Sequence, residues 1–234
     1  MRADAAPERR VIDGRLDKIV ATADEAVAGL RDGARLMVGG FGDVGVPNAL
    51  LDAVLRIGAR DLEIISNNAG SGHTGLAALL ERGRVRRIVC SYPKTSGSTV
   101  FEDLYRAGRI ELELVPQGTL AERIRAGGAG IGAFFTPTGA GTVFAQGKET
   151  RVIDGREQVL EHALKADMAL VRCWRADRWG NLVYRKTARS FGAVMATAAT
   201  VVAVEAAQIV PLGALDPETI VTPGVTVARV VEAP

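Results

Sequence analysis

The sequence contains very few residues of the kinds that build metal or disulfide sites. Cys90 and Cys173 are the only cysteines among the 234 residues, and His73 and His162 are the only histidines. A structural zinc site needs about four such ligands at short spacings, and these four residues are scattered along the chain. We therefore expect no metal site, and two reduced, buried thiols of the kind found in cytosolic proteins.

The chain also lacks an excess of charge of either sign. Lys and Arg number 29 and Asp and Glu 27, a formal net charge of +2, which provides no field to hold nucleic acid or an anionic membrane. The longest apolar runs are shorter than the roughly 20 residues that span a bilayer. The charged first eighteen residues contain no apolar segment typical of a secretory signal. We predict a cytoplasmic globular protein with no nucleic-acid or membrane partner.

What the sequence does have is a regular alternation of strand and helix patterns. A capping box at Thr22–Glu25 opens a first helix that Gly33 closes, and a second capping box at Thr119–Glu122 opens the last helix of the series. This alternation predicts a mostly parallel sheet covered by helices. The predicted strands are 35–38, 61–66, 85–91 and 110–114, and the helices that follow them are 48–57, 75–82, 99–107 and 119–125.

From Gly127 onward the pattern becomes rich in glycine and in strands. Six glycines occur within 127–141, and Asp154-Gly155 between two β-type segments predicts a hairpin. No flexible linker separates the two halves, so we expect a flexible leader over 1–17 and a single domain over 18–234. The predicted fold class is α/β, an open and mostly parallel sheet covered by helices, with a β-rich second half. Its further strands are predicted at 167–174, 181–185 and 200–205.

One motif resembles a dinucleotide-binding loop. Gly40, Gly42 and Gly45 form a G-x-G-x-x-G pattern between a predicted strand and helix, where such loops hold a pyrophosphate. The acidic residue that binds the ribose is missing, because the second strand ends in Ser66–Asn68 and not in a carboxylate. A nucleotide-binding Rossmann-like protein and a purely structural turn remain alternatives to a loop that approaches another ligand.

Polar or glycine residues follow three of the predicted parallel strands, at the ends where α/β sheets place ligands. Amides there donate hydrogen bonds without carrying charge, which suits an oxyanion hole and not an acid or base. Alternatively, Asn67, Asn68 and Gln117 only stabilise turns. Neither a nucleophile elbow nor a complete phosphate-binding loop occurs. The three segments are Gly39–Gly45, Ser66–Asn68 and Pro116–Gly118.

Six motifs follow one another along the chain: Met37–Gly42, Gly45–Pro47, Ser66–Gly70, Pro116–Arg125, Thr136–Gly139 and Tyr184–Arg189. In this order they resemble the A subunit of the 3-oxoacid CoA-transferases. The resemblance covers residues 20–231 and implies the CoA-transferase fold. It also implies that Gly127–Gly141 lets the backbone approach the partner subunit or the substrate closely.

The resemblance implies a ping-pong transfer through a glutamate of a B subunit, with a CoA thioester as substrate and no permanently bound cofactor. A Ser-Glu-Asn-Gly segment, which holds that glutamate in the family, is absent from this sequence. Gln117 would help form the oxyanion hole, and Asn67 and Asn68 would line the same pocket. The expected assembly is a heterodimer or heterotetramer. The expected CoA-contacting residues are Gly39, Gly40, Phe41, Gly42, Asp43, Val44 and Gly45.

Three segments favour the branch of the family that transfers CoA from succinyl-CoA to 3-oxoadipate in aromatic degradation. They are Cys90–Pro93, Val100–Gly108 and Asp177–Asn181. The second carboxylate of 3-oxoadipate calls for an additional cation, for which Lys94 is a candidate. Transfer to acetoacetate is the alternative within the family, and a non-catalytic paralogue is another.

Overall fold

The structure is a computed structural model that describes residues 11–12, 15–95 and 97–233. Within this part of the chain there are six α-helices and thirteen strands. The helices are α1 Ala23–Ala26, α2 Asn48–Ile57, α3 Gly75–Glu81, α4 Val100–Arg106, α5 Gln117–Gly128 and α6 Ser190–Met195. The strands are β1 Val11–Ile12, β2 Arg15–Leu16, β3 Arg35–Val38, β4 Leu62–Ser66, β5 Val85–Cys90, β6 Glu111–Leu114, β7 Ala133–Thr136, β8 Thr150–Ile153, β9 Arg156–His162, β10 Ala166–Ala176, β11 Leu182–Val183, β12 Ala199–Ile209 and β13 Arg229–Glu232.

The main sheet has the strand order β13-β12-β10-β3-β4-β5-β6, and all these neighbours are parallel. The short strand β11 pairs antiparallel with β10, and β7, β9 and β8 form a separate antiparallel sheet. The prediction of an open, mostly parallel α/β sheet with a β-rich second half is confirmed. The hairpin is confirmed too, with Asp154 and Gly155 both at positive φ between β8 and β9.

Hydrophobic layers cover both faces of the main sheet because successive strand residues point to opposite sides. In β3, Leu36 and Val38 pack with residues of α2, α3 and α4, whereas Met37 packs with residues of α5 and α6. β10 divides in the same way, with Leu170 on the first face and Val171 on the second. Burial on both faces explains why these strands read as continuous apolar runs.

Three helix boundaries differ by more than one residue from the sequence predictions, and one of them is the end of α5, at Gly128 and not at Arg125. The Thr22 hydroxyl does cap α1 by accepting from the Glu25 N–H at 3.1 Å, but the helix ends at Ala26 and not at Gly33. The second predicted capping box is wrong, because α5 begins at Gln117 and Thr119 lies inside it. The helix starts directly after Pro116, which is its N-cap residue and has a non-helical ψ of 136°.

The glycine pair at the end of α5 permits two close contacts within the chain, and the approach of Gly127–Gly141 to a partner or substrate stays a prediction. A Cβ atom added at Gly127 would lie 2.0 Å from the Leu164 carbonyl oxygen, and one at Gly128 would lie 2.1 Å from the Thr197 hydroxyl. Only glycine permits this close approach, which holds α5 against the segments before β10 and β12.

The predicted leader lies largely on residues 1–10 and 13–14, outside the described part of the chain. Its described residues include β1 and β2, which pair antiparallel. Among the described residues no helix combines the length and apolarity that crossing a bilayer requires.

Candidate active site at the carboxyl ends of the parallel strands

The loops that follow β3, β4, β5 and β6 all begin at one edge of the main sheet, because the four strands are parallel neighbours. Gly39 follows β3, Asn67 follows β4, Ser91 follows β5 and Gln117 lies shortly after the end of β6. The three segments singled out in the sequence therefore meet at one edge, and Ser91 joins them.

A chain of hydrogen bonds connects Asn67, Ser91 and Gln117. The Ser91 hydroxyl donates to the Asn67 backbone carbonyl at 3.1 Å. The Asn67 side-chain Nδ2 donates to Ser91 Oγ at 3.0 Å and to Gln117 Oε1 at 3.2 Å, so both of its hydrogens are used. Gln117 Oε1 is thus turned toward Asn67, and its Nε2 donor has no partner among the described residues.

Asn68 points to a different neighbour although it is the next residue. Its Nδ2 donates to the Gly42 carbonyl at 3.2 Å, and its Oδ1 accepts from the Gly70 N–H at 2.8 Å. Asn67 and Asn68 are both buried. Asn68 therefore holds the loop after β3, whereas Asn67 orients Gln117.

The loop after β3 is a tight turn that projects from the sheet. Phe41 and Val44 exchange both backbone N–H to carbonyl hydrogen bonds, at 3.0 and 3.1 Å, and their side chains are 47% and 48% exposed. Gly40, Gly42 and Gly45 have φ values of 121°, 57° and 77°, in the region that favours glycine. The glycine spacing is thus required by the shape of this turn.

A cavity of about 300 Å³ lies between this loop, β4 and the start of α3. Asn68 is in its lining, but Asn67, Gln117, Phe41, Val44 and Gly45 are not. The predicted site residues therefore form two adjoining groups, the cavity and the Asn67–Gln117 pair. The lining residues predicted from the sequence are Gly39, Gly40, Gly42, Asp43 and Asn68.

The start of α2, where a dinucleotide-binding protein would hold a pyrophosphate, is occupied by a carboxylate of the chain itself. Glu205 of β12 is buried, and its Oε2 accepts from the N–H groups of Ala49 at 2.8 Å and Leu50 at 3.4 Å. Arg172 lies 3.6 Å from its other oxygen. A phosphate at this helix end would face a buried carboxylate, so the geometry contradicts the Rossmann-like alternative.

Burial raises the pKa of the Glu205 carboxyl above its ordinary value, and this outweighs Arg172 and the α2 N–H groups, which lower it. A raised pKa means that the folded protein holds this proton more tightly than the unfolded chain. The stability that this proton adds to the fold is complete below the unfolded pKa of about 4.3. It is lost as the pH rises through the pKa that Glu205 has in the folded protein.

We expect Glu205→Gln to remove this loss, because glutamine carries no charge at any pH. The difference in Tm between variant and wild type should move in favour of the variant as the pH is raised from about 4.5 to 7, as followed by circular dichroism. Glu149→Gln, at an exposed carboxylate, serves as the control. A difference that stays constant with pH would contradict the interpretation.

Three other residues singled out in the sequence are the two cysteines and Lys94. Burial raises the pKa of both Cys90 and Cys173 to about 12, so both thiols are protonated and unreactive near neutral pH. Lys94 is exposed, with Nζ 3.6 Å from Glu102 Oε1.

Sequence reasoning missed two residues of this region. Glu205 interrupts the apolar run Val201–Ala206, and a charge within such a run is a signal of a buried polar contact. Ser91 gave no signal, because serine at the end of a strand is common in ordinary turns.

Comparison with known proteins agrees with the fold and the motifs. Residues 20–233 match the family model described as coenzyme A transferase. The A subunit of the 3-oxoadipate CoA-transferase of Pseudomonas putida is 59% identical over 92% of this chain and 94% of the relative. The A subunit of the succinyl-CoA:3-ketoacid coenzyme A transferase of Xanthomonas campestris pv. campestris strain B100 is 50% identical over 95% of this chain and 91% of the relative.

The fold is shared with solved structures of low sequence identity. An acyl-CoA transferase of Escherichia coli O157:H7, solved as a thioester complex with CoA, superposes with a TM-score of 0.83 at 23% identity. The match covers 93% of this chain and 50% of that longer chain. The family model and the identities agree: this chain belongs to the coenzyme A transferase family, as a subunit of the A type.

Proposed function

We propose that this chain, with a B subunit that carries a nucleophilic glutamate, transfers CoA from succinyl-CoA to 3-oxoadipate in the cytoplasm. The observation that carries the proposal is the Gln117 amide. Its oxygen is held by Asn67 at 3.2 Å, and its Nε2 donor lies at the strand-end edge without a partner among the described residues. Such a donor stabilises an oxyanion and needs a nucleophile from elsewhere.

In the proposed reaction, the B subunit's glutamate carboxylate attacks the thioester carbonyl carbon of succinyl-CoA. The negative charge that develops on the carbonyl oxygen is stabilised by a hydrogen bond from Gln117 Nε2. CoA thiolate leaves, giving an anhydride, and then attacks the glutamyl carbonyl to form an enzyme thioester and free succinate. The 3-oxoadipate carboxylate repeats these two steps in reverse, so that no net proton or electron is consumed.

The amide site supplies no charged group to the proposed acyl transfer. The amides of Asn67, Asn68 and Gln117 are neutral at every working pH, and the cysteine thiols are protonated. CoA enters as a thioester substrate and not as a bound cofactor. Gly39–Gly45 is the segment that we assign to CoA contacts, and four of its residues line the cavity: Gly39, Gly40, Gly42 and Asp43.

The relatives favour 3-oxoadipate as the acceptor. The Pseudomonas putida relative named for that substrate is 59% identical, and those named for 3-ketoacids are 44 to 50% identical. Transfer to acetoacetate is the second candidate, supported by those same 3-ketoacid relatives and by the ion pair of Lys94 with Glu102.

The test is to produce the chain together with its B subunit, then to measure CoA transfer from succinyl-CoA to each acceptor. We expect activity only in the complex, with kcat/KM at least about tenfold higher for 3-oxoadipate, because one charge-assisted hydrogen bond to its second carboxylate accounts for that ratio. Preference for acetoacetate would contradict the acceptor and keep the mechanism. A well-formed complex inactive with both acceptors would contradict the proposal.

A further inference from the structure

Four cations form a patch beside the glycine loop, separate from the amide site and the cavity. The basic patch comprises Arg175, at the end of β10, and Arg185, Lys186 and Arg189, on and just before the turn that precedes α6. The last three are exposed. Within the part of the chain that the structure describes, none of the four forms an ion pair with a carboxylate. The formal net charge of the chain is only +2, so this is a local concentration of positive charge.

An aromatic ring holds two of these cations in place. The guanidinium carbon of Arg175 lies 4.0 Å from the centroid of the Trp174 ring, and that of Arg185 lies 5.6 Å from it. A guanidinium stacked on a ring keeps its N–H donors in its own plane, available to an anion. Arg175 Nε donates to Gln208 Oε1 at 3.1 Å, so its two terminal nitrogens are left to donate to an anion.

The backbone of this segment is held in an unusual shape against the glycine loop. Lys186 has a φ of 52°, in the left-handed region that favours glycine. A Cβ atom added at Gly45 would lie 2.9 Å from the Ala188 carbonyl oxygen, so the two backbones touch. A strained residue persists only where the surrounding structure holds it, and such residues concentrate at ligand sites.

The distance from the patch to the amide pair indicates the size of the ligand. Leu170 of β10 accepts from the Gly39 N–H at 2.9 Å, and Trp174 lies four residues further, about 13 Å along β10. Asn67 follows β4, which is two strand spacings, or about 10 Å, from β10. A small 3-oxoacid does not bridge this separation, but CoA does, because a long pantetheine arm separates its thiol from its phosphates.

We propose that the basic patch binds the phosphate groups of CoA while its thioester lies near Gln117. This rests on the proposed function and adds the part of this chain that recognises the nucleotide end of the substrate. Arginine binds phosphate by paired N–H donors, and Arg185 and Arg189 are the two exposed arginines of the patch.

The test is the double variant Arg185→Gln/Arg189→Gln in the complex with the B subunit. We expect the KM for succinyl-CoA to rise about 100-fold, about tenfold for each charge-assisted contact, with kcat little changed. The same variant should retain the wild-type KM for succinyl-pantetheine, which lacks the phosphates. Arg82→Gln removes an exposed arginine at the end of α3 and should change neither value.

Binding of adenosine 3′,5′-bisphosphate to the same complexes, measured by calorimetry, needs no turnover. It tests the patch separately from the proposed reaction, and we expect about 100-fold weaker binding by the double variant. Unchanged binding would overturn the proposal, and so would an equal rise in KM for succinyl-CoA and succinyl-pantetheine. Loss of the B subunit by a variant with wild-type Tm would also overturn it, because the patch would then hold protein and not phosphate.

Discussion

Replacing Gln117 by alanine is expected to lower the kcat of the complex with the B subunit by about 100- to 1000-fold, the usual cost of removing one oxyanion donor. The KM for succinyl-CoA should stay near its wild-type value, because the hydrogen bond to the oxygen strengthens only as negative charge develops. Gln117 is the first residue of α5 and its side chain is exposed, so the substitution should leave the Tm almost unchanged.

Asn67 provides a second measurement on the same site. Asn67→Ala removes the donor that holds Gln117 Oε1, so Gln117 rotates freely, and we expect a smaller fall in kcat than for Gln117→Ala. Combined with Gln117→Ala, the substitution should cost little more, because the two residues act as one unit. Gln146→Ala, at an exposed glutamine of another loop, is the control. Strictly additive losses, or a Gln117→Ala enzyme with full kcat, would contradict the assignment.

Replacing Arg123 by methionine is expected to lower the free energy of unfolding by about 3 to 5 kcal/mol, the typical cost of removing one partner from a buried ionic group. The Arg123 side chain is only 10% exposed. It donates to Glu113 Oε1 at 2.6 Å and to the His162 carbonyl at 2.7 Å, and lies 3.8 Å from Glu161. Its loss leaves two carboxylates and a carbonyl with fewer partners.

Arg125→Met is the matched control, because Arg125 lies two residues further along α5 and forms an exposed pair with Glu122. Its Tm should equal that of the wild type. For Arg123→Met in a protein of this length, the loss corresponds to a fall in Tm on the order of 10 °C. Equal Tm values for the two variants would show that the buried network contributes no more than a surface pair.

Acid should also distinguish the Arg123 variant from the wild type. Burial raises the pKa of Glu113, but the hydrogen bonds and charges of Arg123 and Arg87 outweigh it, so that the pKa lies below its ordinary value. A lowered pKa stabilises the fold above the unfolded pKa of about 4.3, and this stability is lost as the pH falls through the folded value. Without Arg123 the loss should begin at a higher pH.

The sequence predicted elements best where one local pattern determines them. The strand over 35–38 and the helix over 48–57 match β3 and α2 in both boundaries, because apolar spacing and the left-handed Gly58 act within a few residues. The predicted capping box at Thr119 was wrong because it rested on a local pattern alone. Its pattern is local, but whether Thr119 faces solvent or the core depends on packing, and it is buried.

Local sequence patterns could not predict how the residues of the site contact one another. The segments were identifiable because parallel strands bring their ends to one edge, but the bond from Asn67 to Gln117 joins residues 50 positions apart. It passes over β5 and depends on Ser91 beside it. The role of Glu205 at the start of α2 spans about 155 residues and follows only from the position of β12 in the sheet.

The position of β10 in the middle of the sheet determines when the sheet can form during translation. Its partner on one side is β3, paired through Val38 and Leu170, which are 132 residues apart. At a synthesis rate of about 5 to 20 residues per second, a ribosome needs roughly 7 to 26 seconds to pass from one to the other. During that interval β3 presents an unpaired apolar edge to the cell, the kind of surface that chaperones shield during translation.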